Sequence, residues 1–290
     1  MAGFFGLFNY EKEGPGISKD APKKKPFFAF FDIFFRNFWK FISINAVYCL
    51  CCIPVVTAGL ANVGITNVTR NIARDKHSFG LSDFFETIKK NWKQGLIAGI
   101  INILITVVNA FAVYFYFFHR SSSKIGGITD VLGLAVCLFI AFVFAVMQYY
   151  LWTIIITFKL PLKNIYKNSF KFVFINIKGN LVCFFSILLS YALFIGVLVL
   201  IGLANLPLAV VIVGLLAIII LPCLRFLIIQ FCTFPAIKKY MIDPYYEEHP
   251  DDDIELRRNL GLEIKEKAEE EKNPEEQSEE NTEDIKEIEQ

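Results

Sequence analysis

The sequence predicts an all-α fold, a polytopic transmembrane helical bundle with five or six membrane segments and additional interfacial amphipathic helices. Three observations lead to this prediction. Hydrophobic residues make up 55% of the 290 residues, 31 residues are phenylalanine, and the mean hydropathy is +0.49. A soluble domain of this length could not bury so much apolar surface. We therefore expect the lipid bilayer as a partner, no nucleic acid, and no water-soluble enzyme.

The charge distribution divides the chain into a membrane part and a tail. The formal net charge of +1 conceals a net +15 in residues 1–240 and a net −14 in residues 241–290. The tail is rich in glutamate and poor in apolar residues, so it cannot bury a core. We predict a cytoplasmic N-terminal segment at 1–26, a transmembrane domain at 27–243 and a disordered acidic tail at 244–290.

Long runs without charge locate four membrane spans. A spanning helix needs about 20 apolar residues. Uncharged runs cover 94–119, 131–158 and 179–224. The first two runs each accommodate one span. The third accommodates two, separated by a turn at 203–207, and the last span is expected to end near Arg225.

The first apolar run, 41–69, allows two arrangements because Pro54 lies in its middle. A single helix of this length would measure about 44 Å, longer than the membrane is thick. Two helices broken at Pro54 would measure only about 20 Å each. A re-entrant hairpin and a single tilted, Pro-kinked span are both compatible with the run.

Positive charge favours the hairpin. Lysine and arginine concentrate in 1–40, 68–95 and 159–180. The positive-inside rule places these segments and the C-terminus in the cytoplasm. Residues 41–69 must then enter and leave the membrane on the same side. We predict a multi-pass protein of the cell membrane with both termini cytoplasmic.

An internal repeat is visible in the segments that precede the apolar runs. Three ten-residue stretches align without gaps, and each mixes aromatic rings with cations, as interfacial helices do. We predict three units, each an interfacial helix followed by a hairpin, with all copies on one face of the membrane. Chance alignment among the phenylalanines is the alternative. The copies are 30–39, 84–93 and 169–178, which align Asn37, Asn91 and Asn176.

Two motifs resemble a known family. IPVVTAGLA at 53–61 and SDFFETIKKNWK at 82–93 follow an aromatic N-terminal helix. This combination resembles the YesL-like family (domain of unknown function 624) of bacterial polytopic membrane proteins over about 28–240. The resemblance implies no established activity. It implies an accessory role beside carbohydrate uptake systems.

Polar residues inside the apolar runs are the candidate substrate-binding site. Amide and hydroxyl groups in a broken membrane helix suit sugar hydroxyls, although the same groups also join helices by hydrogen bonds. Arg225 either extends to the interface or serves as a buried ligand-binding or helix-pairing group. The predicted site residues are Thr57, Asn62, Thr66, Asn67 and Arg225.

No pattern for catalysis is present. The seven cysteines lie in or beside apolar runs, and the three histidines lie in charged or end positions without a catalytic partner. No zinc, phosphate-loop, nucleophile-elbow or dinucleotide motif occurs. We therefore predict no catalytic residue, no cofactor and no metal, and a chain that is not an enzyme.

The leading functional hypothesis is a non-enzymatic accessory or regulatory component associated with carbohydrate uptake, with an ABC-type sugar transporter permease as partner. A secondary transporter or channel for a small solute is the first alternative. A membrane enzyme acting on lipid or glycan is the second. Its candidate carboxylates are Asp32, Asp75, Asp83 and Glu86.

Overall fold

The structure is a computed structural model that describes residues 26–76, 78–122 and 127–248. Within these ranges the chain is helical and contains no strand, which confirms the all-α class. The predicted N-terminal segment and acidic tail lie almost entirely outside them. The chain divides into two units, one ending at residue 236 and the other beginning at residue 237.

Nine α-helices follow one another in the described ranges, joined by short connections. A 3-10 turn, Val55–Thr57, separates α2 from α3, and a π-helical turn, Lys238–Ile242, follows α8. The helices are α1 Pro26–Arg36, α2 Phe38–Cys52, α3 Ala58–Ala73, α4 Leu81–Ser122, α5 Gly127–Thr157, α6 Leu162–Ile175, α7 Ile177–Gly202, α8 Leu206–Ile237 and α9 Asp243–Glu248.

Four of these helices are long and apolar enough to cross a membrane, as the sequence predicted. They are α4, α5, α7 and α8, with hydropathies between 2.4 and 2.9 over their most apolar segments. The turn between α7 and α8 falls within the predicted 203–207 segment. Length and composition therefore support an integral membrane protein.

The run 41–69 forms a hairpin rather than a single span. Pro54 precedes the 3-10 turn at the hairpin tip. At the other end, Arg36 pairs with Asp75, and the Lys40 ammonium donates to the Ser78 carbonyl at 3.3 Å. The start of α2 and the end of α3 therefore lie at the same end of the bundle, which confirms the hairpin.

The hairpin is too short to cross a bilayer. Its helices have 15 and 16 residues, or about 23 Å each at 1.5 Å per residue, against about 30 Å of hydrocarbon. Helix α3 nevertheless lies at the centre of the fold, where Ala61, Val63, Ile65 and Val68 have no exposed surface. The longer helices α4 and α5 pack around it.

Helices α3 and α4 cross with their backbones in contact at glycines. A Cβ atom on Gly59 would lie 2.3 Å from the Gly95 carbonyl oxygen and 2.6 Å from the Gly99 Cα. One turn further along, the fully buried Phe84 ring occupies the space where a Gly64 side chain would stand, 2.7 Å from a built Cβ. The glycines and Phe84 thus allow this close approach, as small residues do in membrane helix packing.

The final helix is longer than the predicted span, because α8 continues past Arg225 to Ile237, with Pro222 inside it. Pro222 lacks the N–H that would bond to the Ile218 carbonyl, and a proline ring also distorts the neighbouring turn, where the Cys223 N–H would otherwise bond to the Ile219 carbonyl. The Asn45 side chain enters the ladder there: its Oδ1 accepts from the Cys223 N–H at 2.9 Å, and its amide donates to the Ile219 carbonyl at 2.5 Å. A side chain from α2 therefore satisfies the groups freed at this position.

The aligned asparagines mark three equivalent helix breaks, which supports a genuine repeat. Asn37, Asn91 and Asn176 have φ/ψ of −104°/13°, −118°/19° and −112°/46°. Asn37 separates α1 from α2, Asn91 forms a kink inside α4, and Asn176 separates α6 from α7. The amides of Asn37 and Asn91 donate to the carbonyls four residues earlier, at 3.0 and 3.1 Å. Asparagine suits such breaks because its side chain bonds to nearby backbone.

The three breaks lie at one end of the bundle. The Gln94 amide, just after the second break, donates to the Leu160 carbonyl before α6 at 2.8 Å. The Asn176 amide donates to the Tyr150 hydroxyl at 2.9 Å, about two turns before the end of α5 at Thr157. The repeated interfacial helices therefore share one end, as predicted. The assignment of this end to the cytoplasm stays a prediction.

Candidate functional site

Two of the predicted site residues join the helices of the hairpin. The Thr57 hydroxyl lies within hydrogen-bonding distance of the Pro54 and Cys51 carbonyls and closes the tip. The side-chain oxygen Oδ1 of Asn62 accepts from the Tyr48 hydroxyl at 2.9 Å, which links α3 to α2. Both side chains are therefore engaged inside the hairpin.

Thr66 and Asn67, the next two predicted residues, contact other groups than the first pair. The buried Thr66 hydroxyl donates to the Asn62 carbonyl at 2.6 Å. The Asn67 amide donates to Thr87 of α4 at 2.7 Å, and its oxygen accepts from Arg70 at 2.8 Å. About 15 Å of helix separates Thr57 from Asn67. The hydrogen bonds of Asn62 and Asn67 therefore join helices, whereas that of Thr66 stays within α3.

Arg225 lies on another helix, α8, where the neighbouring Phe226 ring lies 6.0 Å from the ring of Tyr48, the partner of Asn62. Its guanidinium carbon lies 5.9 Å from the centre of the Phe226 ring, and the side chain is half-buried. Cys223, two residues earlier, contacts the Phe41 carbonyl at 3.8 Å. Arg225 thus lies level with the start of α2, near the end of the bundle that carries the cationic loops. This location is compatible with a side chain that extends to the interface.

Arg70 is the central polar residue that sequence reasoning missed, because it was counted only among the cytoplasmic cations. Its two terminal nitrogens donate to Thr157 of α5 and to Asn67, both at 2.8 Å. Its Nε atom is buried and has no hydrogen-bond partner. The available signal was the spacing of Asn67, Arg70 and Arg74, which places them on one side of α3.

The polar contacts continue from Arg70 to α8 through one turn of α5. The Thr157 hydroxyl donates to the Thr153 carbonyl at 2.6 Å, and the Gln230 amide donates to the Thr153 hydroxyl at 2.9 Å. Gln230 is 1% exposed, and its Oε1 atom has no partner. Helices α3, α5 and α8 therefore meet in a polar cluster that holds an unpaired donor and an unpaired acceptor.

Two more cations lie where α3 ends. The Arg74 guanidinium stands 4.6 Å above the centre of the Phe234 ring. Burial, followed by the charges of Arg74 and Arg70, lowers the pKa of Lys76 to about 8. We call Arg70, Arg74 and Lys76 the α3 cation cluster.

A tight backbone turn at the end of α3 connects Arg74 to Lys76. Asp75 has φ +56°, a left-handed conformation that aspartate tolerates better than most residues. The Lys76 N–H bonds to the Asn71 carbonyl at 2.9 Å and the Asp75 N–H to the Ile72 carbonyl at 3.0 Å. These are the two bonds of a Schellman motif, which ends α3 and turns the chain back.

A second polar cluster joins α4, α5 and α6. Asn102 and Gln148 exchange two amide hydrogen bonds at 2.9 and 3.1 Å, and the Tyr166 hydroxyl donates to Asn102 at 2.9 Å. Nearer the other end of α4, the Asn109 amide donates to the Cys137 carbonyl at 3.3 Å. These side-chain amides therefore find their hydrogen-bond partners within the bundle.

The described carboxylates near the bundle end are engaged by neighbouring groups. Asp83 accepts from the Ser78 hydroxyl at 2.8 Å and the Phe79 N–H at 3.0 Å, and so caps the start of α4. Glu86 pairs with Lys90 at 2.7 Å. Within the described ranges no three histidine, cysteine or acidic residues are grouped to hold a metal ion, and the cysteines are free thiols.

The length and apolar composition of the helices define the class of protein. It is a polytopic integral membrane protein with four spans and a short central hairpin. Residues 41–113 match the family model described as "Protein of unknown function, DUF624". This match contains both quoted motifs and supports the resemblance to that family over residues 41–113. The YesL-like name and a bacterial origin stay predictions. No curated protein and no solved structure matches the chain.

Proposed function

We propose that the chain is a non-enzymatic membrane protein that serves as an accessory or regulatory component of carbohydrate uptake. Its proposed partner is the permease of an ABC-type sugar transporter. The carbohydrate part of the proposal rests on the family resemblance carried by 53–61 and 82–93. The accessory part rests on the last hairpin, α7–α8, which offers an apolar surface to another membrane helix.

The observation that carries the proposal is the exposure of α7. Only 6% of its 18-residue apolar segment is buried, against 17% in each of the other three spans. A groove of about 280 Å³ lies between α7 and α8. Small residues permit close helix approach in membranes, and a Cβ on Gly214 would meet no atom within 4 Å. The groove is lined by Tyr191, Phe194, Leu198, Val213, Gly214 and Leu221.

The polar interior supports a non-catalytic role. General acid–base catalysis needs a carboxylate or histidine that can reach a substrate. Asp75, Asp83 and Glu86 are each held by a neighbouring cation or donor. Three of the four candidate carboxylates are thus engaged by neighbouring groups, which supports a non-catalytic role.

Site-specific photocrosslinking in cells tests the proposal. A photoreactive phenylalanine derivative replaces Leu198 in the groove or, as a control, Leu200, which is 70% exposed on the same helix but does not line the groove. We expect adducts with a sugar-transporter permease from position 198 and not from position 200. Identical products from both positions, or lipid adducts alone, would contradict the proposal.

A secondary transporter or channel is the second candidate, favoured by the unpaired buried atoms on Arg70 and Gln230. Single cysteines at Thr57, Asn62 and Asn109 in a cysteine-free chain test this candidate. A water-filled path requires at least one of them to react with a membrane-impermeant thiol reagent. No reaction from either side would exclude the path and favour the accessory role.

A further inference from the structure

Helix α6, the interfacial helix of the third repeat, carries a row of exposed lysines. Lys163, Lys167 and Lys171 are four residues apart, so they lie along one side of the helix with about 6 Å between successive positions. All three side chains are exposed. In the part of the chain that the structure describes, none of their ammonium groups has a hydrogen bond or an ion pair. We call these three residues the α6 lysine stripe.

The surrounding sequence contains no carboxylate that could offset this charge. Between Asp130 and Asp243 the chain has no aspartate or glutamate. Helix α6 packs against α5 and leads into α7, and both helices lie in this stretch apart from the first turn of α5. Two further exposed lysines, Lys159 and Lys178, flank the helix. The positive charge of the stripe therefore has no counterpart in this stretch.

The second repeat provides a direct contrast. Lys171 aligns with Glu86 of the second copy and with Asp32 of the first. The Glu86 carboxylate pairs with Lys90, one turn later, at 2.7 Å, whereas the residue that aligns with Lys90 in the third copy is Ile175. The segment 81–93 carries three lysines and two acidic residues, net +1, and the segment 162–178 carries four lysines and no acidic residue, net +4. An exposed acidic–basic pair in the second repeat thus corresponds to an unpaired lysine in the third.

Aromatic rings share the exposed side of α6 with the lysines. Phe170 and Phe174 are 48% and 52% exposed, whereas Phe172, on the opposite side, is 3% exposed. Residues seven apart on an α-helix project in nearly the same direction, so the two exposed rings lie on the side of Lys163 and Lys167. A bilayer surface offers apolar chains to the rings and phosphates to the ammonium groups. A soluble anion offers only the second.

We propose that the α6 lysine stripe binds the headgroups of anionic phospholipids, and that the third repeat prefers these lipids more strongly than the second. Lysines near a membrane surface attract anionic lipid. In the second repeat the Glu86 carboxylate offsets one cation and repels the lipid phosphates. This surface goes beyond the proposed accessory role and does not depend on it.

Quenching of tryptophan fluorescence by brominated lipids tests the proposal. Trp92 and Ile177 occupy the same repeat position and are 52% and 53% exposed. One full-length protein keeps Trp92 as the reporter, and the other carries Trp92→Phe and Ile177→Trp. Both carry Trp39→Phe, and both keep Trp152, which is 5% exposed and adds the same background. The proteins are reconstituted in phosphatidylcholine with increasing fractions of brominated phosphatidylglycerol or brominated phosphatidylcholine.

The two reporters should differ in their preference for the anionic lipid. The apparent affinity for phosphatidylglycerol relative to phosphatidylcholine should be at least about fivefold at position 177, the attraction of a single lysine to an anionic surface. At position 92 it should be below about twofold, because that segment is nearly neutral. Equal preferences at the two positions, or none at either, would overturn the proposal.

Exchanging the charges at the aligned position locates the preference. Lys171→Glu brings the acid of the second copy into the third and should remove most of the preference at position 177. Glu86→Lys makes the reverse exchange and should raise the preference at position 92. Lys89→Glu, an equal change of charge at an exposed position on α4, should leave position 177 unchanged. A preference at position 177 that survives Lys171→Glu, or falls equally with Lys89→Glu, would overturn the proposal.

Discussion

The first and last hairpins of this protein share one plan and have opposite surroundings. Helices α2 and α3 have 15 and 16 residues, whereas α7 and α8 have 26 and 32. The short hairpin contributes the most buried helix of the fold, and the long hairpin exposes most of α7. Each follows an interfacial helix and an asparagine break. Equivalent repeat units have therefore taken different positions, one inside the bundle and one at its surface.

Length and polarity together explain the difference. A helix of about 23 Å cannot match the hydrocarbon thickness, so it is favoured where other helices surround it. Inside a bundle, glycines and hydrogen-bonding side chains provide the association energy that apolar surface alone does not provide in lipid. Helix α3 carries both, in Gly59 and Asn67, while most of the exposed residues on α7 are aliphatic or aromatic.

The largest effect is expected where the short hairpin meets α4. Gly59→Ala would place a methyl group 2.3 Å from the Gly95 carbonyl oxygen, so α3 and α4 must separate. We expect a loss of about 3 kcal/mol or more in unfolding free energy, measured by detergent titration. Gly196→Ala on α7, where a Cβ meets nothing within 4 Å, should change it by less than about 0.5 kcal/mol. Equal stability of the two variants would contradict the comparison.

A smaller loss is expected where the short hairpin supports α8. Asn45→Leu leaves the Cys223 N–H and the Ile219 carbonyl without the amide that now binds them. We expect a loss of about 2 kcal/mol. Adding Pro222→Ala should recover part of this loss, because an ordinary helix ladder can then form. A double-mutant cycle measures the coupling, and strict additivity would refute the role assigned to Asn45.

A moderate effect is expected at the second polar cluster, between the two regions. Gln148→Leu should cost about 1 kcal/mol, since membrane hydrogen bonds are worth about that much. In the double variant that also carries Asn102→Leu, the unfolding free energy should fall little further on account of the Asn102–Gln148 bonds. Each amide is the other's partner, so the first substitution already removes both bonds. Unfolding free energies of the two single variants and the double variant provide the check. Additive losses would mean that the amides act independently.

The last hairpin should show an effect on partner binding with almost none on stability. Gly214→Leu fills the α7–α8 groove, where a Cβ meets no atom. The unfolding free energy should change by less than about 0.5 kcal/mol, while the permease adduct from position 198 should disappear. Gly196→Leu, outside the groove, should leave the adduct intact. A retained adduct in the groove variant would count against docking there.

The smallest effect concerns pH at the end of the short hairpin. Burial and neighbouring cations lower the pKa of Lys76 to about 8, so the folded state favours the neutral amine. Stability should therefore rise as pH increases from about 8 towards the ordinary lysine pKa. Lys76→Met should reduce this rise, and Lys89→Met should not. Unfolding titrations across that pH range measure both slopes, and identical slopes would show that Lys76 does not contribute.

The sequence predicted the features that depend on local composition. Uncharged runs located the four spans, and the aligned asparagines located three helix breaks. The hairpin at 41–69 followed from combining Pro54 with the positive-inside rule. The end of α8 was predicted too early, because the span was ended at the charge of Arg225, whereas the helix continues to Ile237. In addition, no local pattern shows that Asn45, on a different helix, satisfies backbone groups around Pro222.

The candidate site was harder to predict, because residue type does not specify a partner. Thr57, Asn62 and Asn67 were chosen as polar groups in an apolar run, and the structure gives them different partners. Arg70 was missed because a cation after an apolar run usually marks a membrane boundary. Its contact with Thr157 joins residues 87 positions apart.

The sequence by itself therefore determined the class of protein, its spans and its repeated breaks, because hydropathy and charge act locally through the thickness of the membrane. Only the tertiary structure decided which hairpin lies inside the bundle and which polar groups are paired. Those outcomes depend on distances between helices far apart in the chain. The contact of Gly59 with Gly99 and the hydrogen bond of Arg70 to Thr157 form only when α3, α4 and α5 are packed together.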